Sequence, residues 1–277
     1  MRLLIRKINK CYHKLKVSRS KIYLISKQAP KALYSHPQKS PYFVWAYLFF
    51  TFLLSMQAVS QNSLNDIDLL KIPQKKIKQV ILYQLEHDVV QFSDLRSTFI
   101  EDVDTLEFHE QRKTFLIEEG SSVVWENYKR INPAKSWEGK MVSFGVLLSK
   151  YDSSIMYRED SYSGIEVGQV FYLNLRLFKG IYNLPVVFEI ISVDEINKVI
   201  EISYVEGGKT RGRQKLKFIE TTDGNTEIIH STLFKSDSWL RDKLFYPHFH
   251  NKIIKEFHKN ILKEIMENNI LPQYVHE

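Results

Sequence analysis

The last long stretch of the chain limits what can come before it. From Asn251 onward, Ile254, Phe257, Ile261 and Ile265 recur every three or four residues, and Ile253 and Leu262 widen the stripe. Lys252, Lys255, Glu256, Lys259, Lys263 and Glu264 fill much of the other side. That spacing predicts one amphipathic helix over residues 239–268, with one oily face to bury. Such a face needs a second layer. The runs before it read as strands, so the expected fold class is α+β, with a curved antiparallel sheet wrapped around a long C-terminal helix.

The strand runs are these. Residues 112–117 (RKTFLI) suit a pleated surface. Ser121 or Ser122 can cap a helix over 121–131, which Asn132-Pro133 ends; residues 134–139 form a turn-rich bridge containing Trp137. Residues 140–150 are apolar and bounded by turn formers. In 168–178, Phe171, Leu173, Leu175 and Leu177 alternate with Tyr172, Asn174 and Arg176, the mark of a half-buried strand. Runs at 185–193 and 198–205 flank a hairpin turn at 194–197; Gly207-Gly208 and Gly212 interrupt the chain; runs at 214–220 and 225–234 flank an Asp223-Gly224 turn.

Charge separates the N-terminal region from the body. The first 41 residues carry 11 of the 39 Lys and Arg, and no Asp or Glu occurs before Asp66. The remainder has 28 basic against 32 acidic side chains, a net of −4, which excludes nonspecific nucleic-acid binding by the body. Residues 42–56 are uncharged and apolar, and Ala58-Val59-Ser60 has the small-residue spacing that a signal peptidase reads. Residues 1–60 are therefore a basic leader with either a cleaved signal peptide or a signal-anchor over 42–59. Both place the body outside the cytoplasm, in the periplasm or extracellular space; the uncleaved form also makes the membrane a partner. Cys11 lies inside the leader and is the chain's one cysteine, so the body has neither a disulfide nor a thiolate metal site.

Residues 61–109 are expected to be a linker and extra N-terminal segment, 61–78 a solvated tether and 79–92 a helix. The domain proper runs over 110–270.

The order strand, helix, strand meander and long terminal helix resembles the START-like superfamily, also called SRPBCC, which includes polyketide cyclases and birch-pollen-type allergens. The matching landmarks are RKTFLI, SSVVWENYKRI, VGQVFYLNLRLF and GNTEIIHST, covering about residues 112–267. Gly120-Ser121-Ser122 stands where the superfamily commonly has a proline turn. The resemblance implies an apolar cavity between sheet and helix that holds a hydrophobic small molecule or lipid. The leading expectation is a noncatalytic binding domain, and no catalytic residue, metal or cofactor is assigned. If the cavity exists, one phase of the strands faces it. The expected ligand-binding residues are Phe171, Leu173, Phe188, Ile202, Tyr204, Phe218, His230, Phe257 and Ile261. A close-packed dry core is the alternative use of the same positions.

Two further functions stay open. One is a cyclase- or hydrolase-type enzyme with Tyr204 and His230 as acid–base pair; the other is an envelope interaction protein using the segment before Glu110. His248, His250 and His258 read as solvated, since helical positions two apart diverge and cannot share a metal. Asp237 reads as a helix cap, and residues 207–213 as a charged hairpin tip.

Overall fold

The computed structural model describes residues 62–99, 108–238, 242–243 and 246–270. The leader over 1–60, with its apolar run at 42–59, lies outside them, as does Trp239 at the expected start of the terminal helix. Among the described residues no helix is long and apolar enough to cross a membrane.

The strands are β1 (His109–Ile117), β2 (Val142–Ser149), β3 (Ile155–Met156), β4 (Gln169–Leu177), β5 (Tyr182–Asp194), β6 (Val199–Tyr204), β7 (Thr210–Glu220) and β8 (Thr226–Ser236). They form one sheet in the order β1-β8-β7-β6-β5-β4-β2-β3, antiparallel at every pairing. The first strand closes on the last, from His109 opposite Phe234 to Ile117 opposite Thr226. Local turn chemistry makes the meander. Asp194 Oδ1 accepts the N–H groups of Ile196 (3.0 Å) and Asn197 (2.9 Å), and Gly224 supplies the positive φ of the β7–β8 turn. Bulges between Phe144 and Val146 and between Ile190 and Ser192 bend the sheet.

The described helices are α1 (Lys75–Glu86), α2 (Ser121–Arg130), α3 (Pro133–Ser136) and α4 (Tyr246–Ile270). Helix α2 starts where expected, but without a serine cap: Gly120 holds the cap position, and the Ser121 hydroxyl instead donates to Glu220 and accepts from Lys198. The bridge after α2 contains the helical turn α3, with Pro133 in its first position and Asn132 accepting the Ala134 N–H at 2.8 Å.

Helix α4 lies on the concave face. Its Ile253, Ile254, Phe257, Ile261 and Ile265 are all buried, and four of these join one core with Phe144, Phe171, Leu173, Phe188, Ile202 and Phe218 from the sheet. The Glu256 carboxylate accepts the N–H groups of Lys140 (2.6 Å) and Met141 (2.8 Å), pinning the helix to the start of β2. A curved antiparallel sheet gripping a long C-terminal helix is the expected architecture.

The outer face is not the expected solvent surface. Residues 62–99 lie on it, and their Leu64, Ile67, Ile72, Ile77, Ile81, Phe92 and Leu95 form a second core with Val146, Leu148, Val170, Tyr172, Val187 and Val205. The solvated tether over 61–78 is thus corrected: Leu64, Ile67, Ile72 and Ile77 within it are buried, and α1 begins within it. The alternation in β4 is corrected with it, because Tyr172, in the polar phase, is fully buried and donates its O–H to Gln84 on α1 (2.8 Å). Gly145 permits the close approach, since a Cβ there would collide with Ile77 Cδ1. Lys150 clamps the far end, donating to the Leu95 carbonyl (2.6 Å) and pairing with Glu189 (2.7 Å).

Candidate functional site

Between α4 and the sheet lies a cavity of about 330 Å³. Strands β4 and β5 supply Leu173, Leu175, Val186 and Phe188; Trp137 and Ile254 face them from α3's C-terminal cap and α4. The cavity opens at the β4–β5 connection, where Phe178 and Tyr182 line it yet are 49% and 46% exposed. The Phe178 backbone has φ 50°, an uncommon conformation for a side chain of that size. Its ring meets that of Phe249 edge-on at 4.9 Å.

The opposite wall is polar. Tyr204, Gln214, Tyr246 and His250 reach it, and behind them runs a continuous buried hydrogen-bond chain. The orientation of the Gln214 amide assigns its direction. Gln214 Nε2 donates to the Tyr204 oxygen (3.1 Å), and Gln214 Oε1 accepts from His230 Nε2 (2.8 Å). His230 Nδ1 is then an acceptor, to which His258 Nε2–H donates (3.0 Å); His258 Nδ1 accepts from the Tyr128 hydroxyl (2.6 Å). At the cavity end, the Tyr204 and Tyr246 hydroxyls are hydrogen-bonded to each other. The Tyr246 ring is stacked between Phe234 (3.7 Å) and His250 (5.0 Å).

Burial keeps this cluster neutral. It pushes His258 down to about 3 and His250 down to about 4. It lowers His230 well below the usual imidazole range, with the neighbouring His258 and His250 adding to the effect. Burial raises Tyr204 to about 12, and Tyr246 and Tyr128 well above the ordinary phenol value. Among the described residues, no Lys, Arg, Asp or Glu lines the cavity. The site offers neutral hydrogen bonds and apolar contact.

All nine expected ligand-binding residues are buried on the concave face, but they do not share one space. Leu173, Phe188 and Tyr204 line the cavity. Phe171, Ile202 and Phe257, again with Phe188, surround a smaller void of about 40 Å³ nearer α2. Phe218 and Ile261 are core side chains, the former packed edge-on against Trp125 and Tyr128. His230 lies behind the wall with both nitrogens engaged. It does not touch Tyr204, because the Gln214 amide stands between them, so the direct acid–base pair is not formed. The solvated reading of His250 and His258 is corrected: both are buried, whereas His248 lines an outer groove. Gln214, Tyr246 and His250 were not foreseen as site residues. A signal existed, for Tyr246, His250, Ile254 and His258 are each four apart on one helical face.

Solved structures of similar fold include a point mutant of norcoclaurine synthase from Thalictrum flavum with a transition-state analogue (14% identity, TM-score 0.43, covering 58% of this chain and 96% of that one). Others are the major latex-like protein 151 of Panax ginseng (12%, 0.41, 57% and 97%) and a protein from Nitrosospira multiformis (14%, 0.38, 57% and 96%). The described residues themselves form a helix grip, an antiparallel sheet around a long C-terminal helix. The likeness is one of fold alone. Neither a family model nor a curated protein sequence matches the chain.

Proposed function

We propose that the body of this protein binds a hydrophobic small molecule or lipid in the cavity beneath α4 and leaves it chemically unchanged. The observation that carries this reading is the cavity itself: about 330 Å³, apolar on most sides and open at one end, within the size range of small-molecule sites. The noncatalytic part rests on the neutral wall and on the engagement of both His230 nitrogens. Native mass spectrometry of the purified full chain, with organic extraction of whatever it carries, tests the reading. A bound apolar compound returned intact supports it. A protein that stays empty and takes up no hydrophobic probe overturns it.

The place of action we propose is outside the cytoplasm, on the strength of the basic and then apolar leader. N-terminal sequencing of the fractionated protein distinguishes release after Ser60 from retention of an anchor at 42–59.

A further inference from the structure

A second surface adjoins the mouth of the cavity, and its chemistry is different. Phe178 and Phe249 line both the cavity and an open groove of about 750 Å³ outside it. Lys140, Arg176, Lys179 and Lys252 also line that groove, and among the described residues no Asp or Glu does. Overall composition does not account for such a cluster. The chain beyond residue 41 has 28 basic against 32 acidic side chains, a net of −4, so the groove is a local reversal of sign.

Three of these cations are open to a ligand. Lys140, Lys179 and Lys252 are exposed, and none of them forms an ion pair among the described residues. Arg176 differs, since it pairs with Glu138 (3.2 Å) and donates to the Val142 carbonyl (2.9 Å). The carboxylates next to the groove are committed elsewhere. Glu138 is also held by Arg158 (3.1 Å), and Glu256 accepts the backbone N–H groups of Lys140 and Met141. A lysine ammonium on its flexible four-carbon stem can turn toward an anion without rebuilding the site. Phe178 and Lys179, at φ 50° and 60°, are consecutive left-handed residues that are not glycine, and backbone of that kind gathers at ligand sites.

We propose that the ligand is an anionic amphiphile, with its apolar tail in the cavity beneath α4 and its charged head outside, among Lys140, Lys179 and Lys252. This names the class of ligand and rests on the pocket reading above. The two halves of such a molecule match two surfaces that share Phe178 and Phe249. The cavity offers an anion no counter-charge among the described residues, whereas the groove offers three cations without carboxylate partners. A head held in the open groove also keeps much of its water, and so avoids the cost of burying a charge.

The test titrates decanoate, 1-decanol and acetate into the full chain at about pH 7.5, where a carboxylate is ionised, and follows binding by calorimetry. Decanoate should bind about tenfold more tightly than decanol, the combined effect of several exposed ion pairs. The margin should shrink as salt is raised from about 0.05 to about 0.5 M. It should vanish in the combined variant Lys140→Gln, Lys179→Gln, Lys252→Gln. It should persist in Lys75→Gln, Lys76→Gln, Lys217→Gln, which removes the same charge from exposed lysines away from the groove. Circular dichroism checks that both variants are folded, and Lys179→Gln alone, on an exposed turn, should already lose part of the margin. Equal binding of decanoate and decanol overturns the anionic head and leaves the pocket standing, as does a preference that survives loss of the three groove lysines. Acetate that displaces decanoate at equal concentration overturns the amphiphile in favour of a small-anion site. Binding of neither decanoate nor decanol overturns the pocket reading as well.

Discussion

His258, on the terminal helix, and His230, in the last strand, meet through a 3.0 Å hydrogen bond between their rings. Neither histidine is more than 4% exposed. The contact joins helix to sheet through groups that must stay uncharged, which makes the grip on α4 sensitive to acid.

The sign follows from linkage. His258, His250 and His230 all have folded-state values below that of an unfolded imidazole, about 6.5. Between roughly pH 6.5 and 4 the unfolded chain takes up protons there that the folded chain does not. The stability from these groups is fully present above pH 6.5 and falls as the pH drops toward 4. Urea midpoints measured from pH 7.5 to 4.5 should fall steadily, and substituting Phe for His258 should reduce the slope. A midpoint independent of pH over that interval contradicts a neutral buried cluster.

Filling the cavity separates binding from folding. In a close-packed core, Val186→Phe would cost about 1–3 kcal/mol through overpacking. Here Val186 borders open space, so we expect a melting temperature that is unchanged or higher, together with loss of hydrophobic-probe binding. A large fall in melting temperature would indicate that the space is already full.

The close approach of α1 to the sheet gives a double-mutant cycle. Gly145→Ala should destabilise the protein by about 1–3 kcal/mol because the new methyl meets Ile77 Cδ1. In an Ile77→Ala background, where that atom is missing, the same change should cost measurably less. Equal costs in both backgrounds, read from chemical denaturation, would place the strain elsewhere; Tyr172 O would also lie 3.0 Å from the added Cβ.

Lys150→Met should cost about 1–2 kcal/mol, since it leaves Glu189 and the Leu95 carbonyl without their donor. The loss is modest because a fifth of the lysine side chain is exposed and water screens the pair. Amide exchange should rise selectively around residues 95–99, where the backbone pairs with Tyr204 and Glu206.

Local pattern made much of this architecture readable. The alternation of Phe171, Leu173 and Leu175, the Asp-Gly turn and the four-residue spacing in α4 each report an element's own geometry; the strand and turn are where they place them, and α4 runs over Tyr246–Ile270 against the expected 239–268. The covering of the outer face was hidden because Leu64, Ile67, Ile72 and Ile77 sit among charged residues at no single period. Leu64 sits in one 3-10 turn, Ile67 and Ile72 end that turn and a second one, and Ile77 lies in α1. The polar wall was hidden differently. His250 is buried by its place on α4 relative to β8 and β1, a tertiary fact that residue type opposes. Only the phase shared with Ile254 pointed to it.

The strap over the convex side has a practical consequence for anyone trimming the chain. Cutting at the start of β1 would seem natural, since the helix-grip elements begin there. Such a fragment would bare Val146, Leu148, Val170, Tyr172 and Val187 as one greasy panel. That surface favours self-association and precipitation, so a soluble piece of this protein has to begin upstream of Ser63.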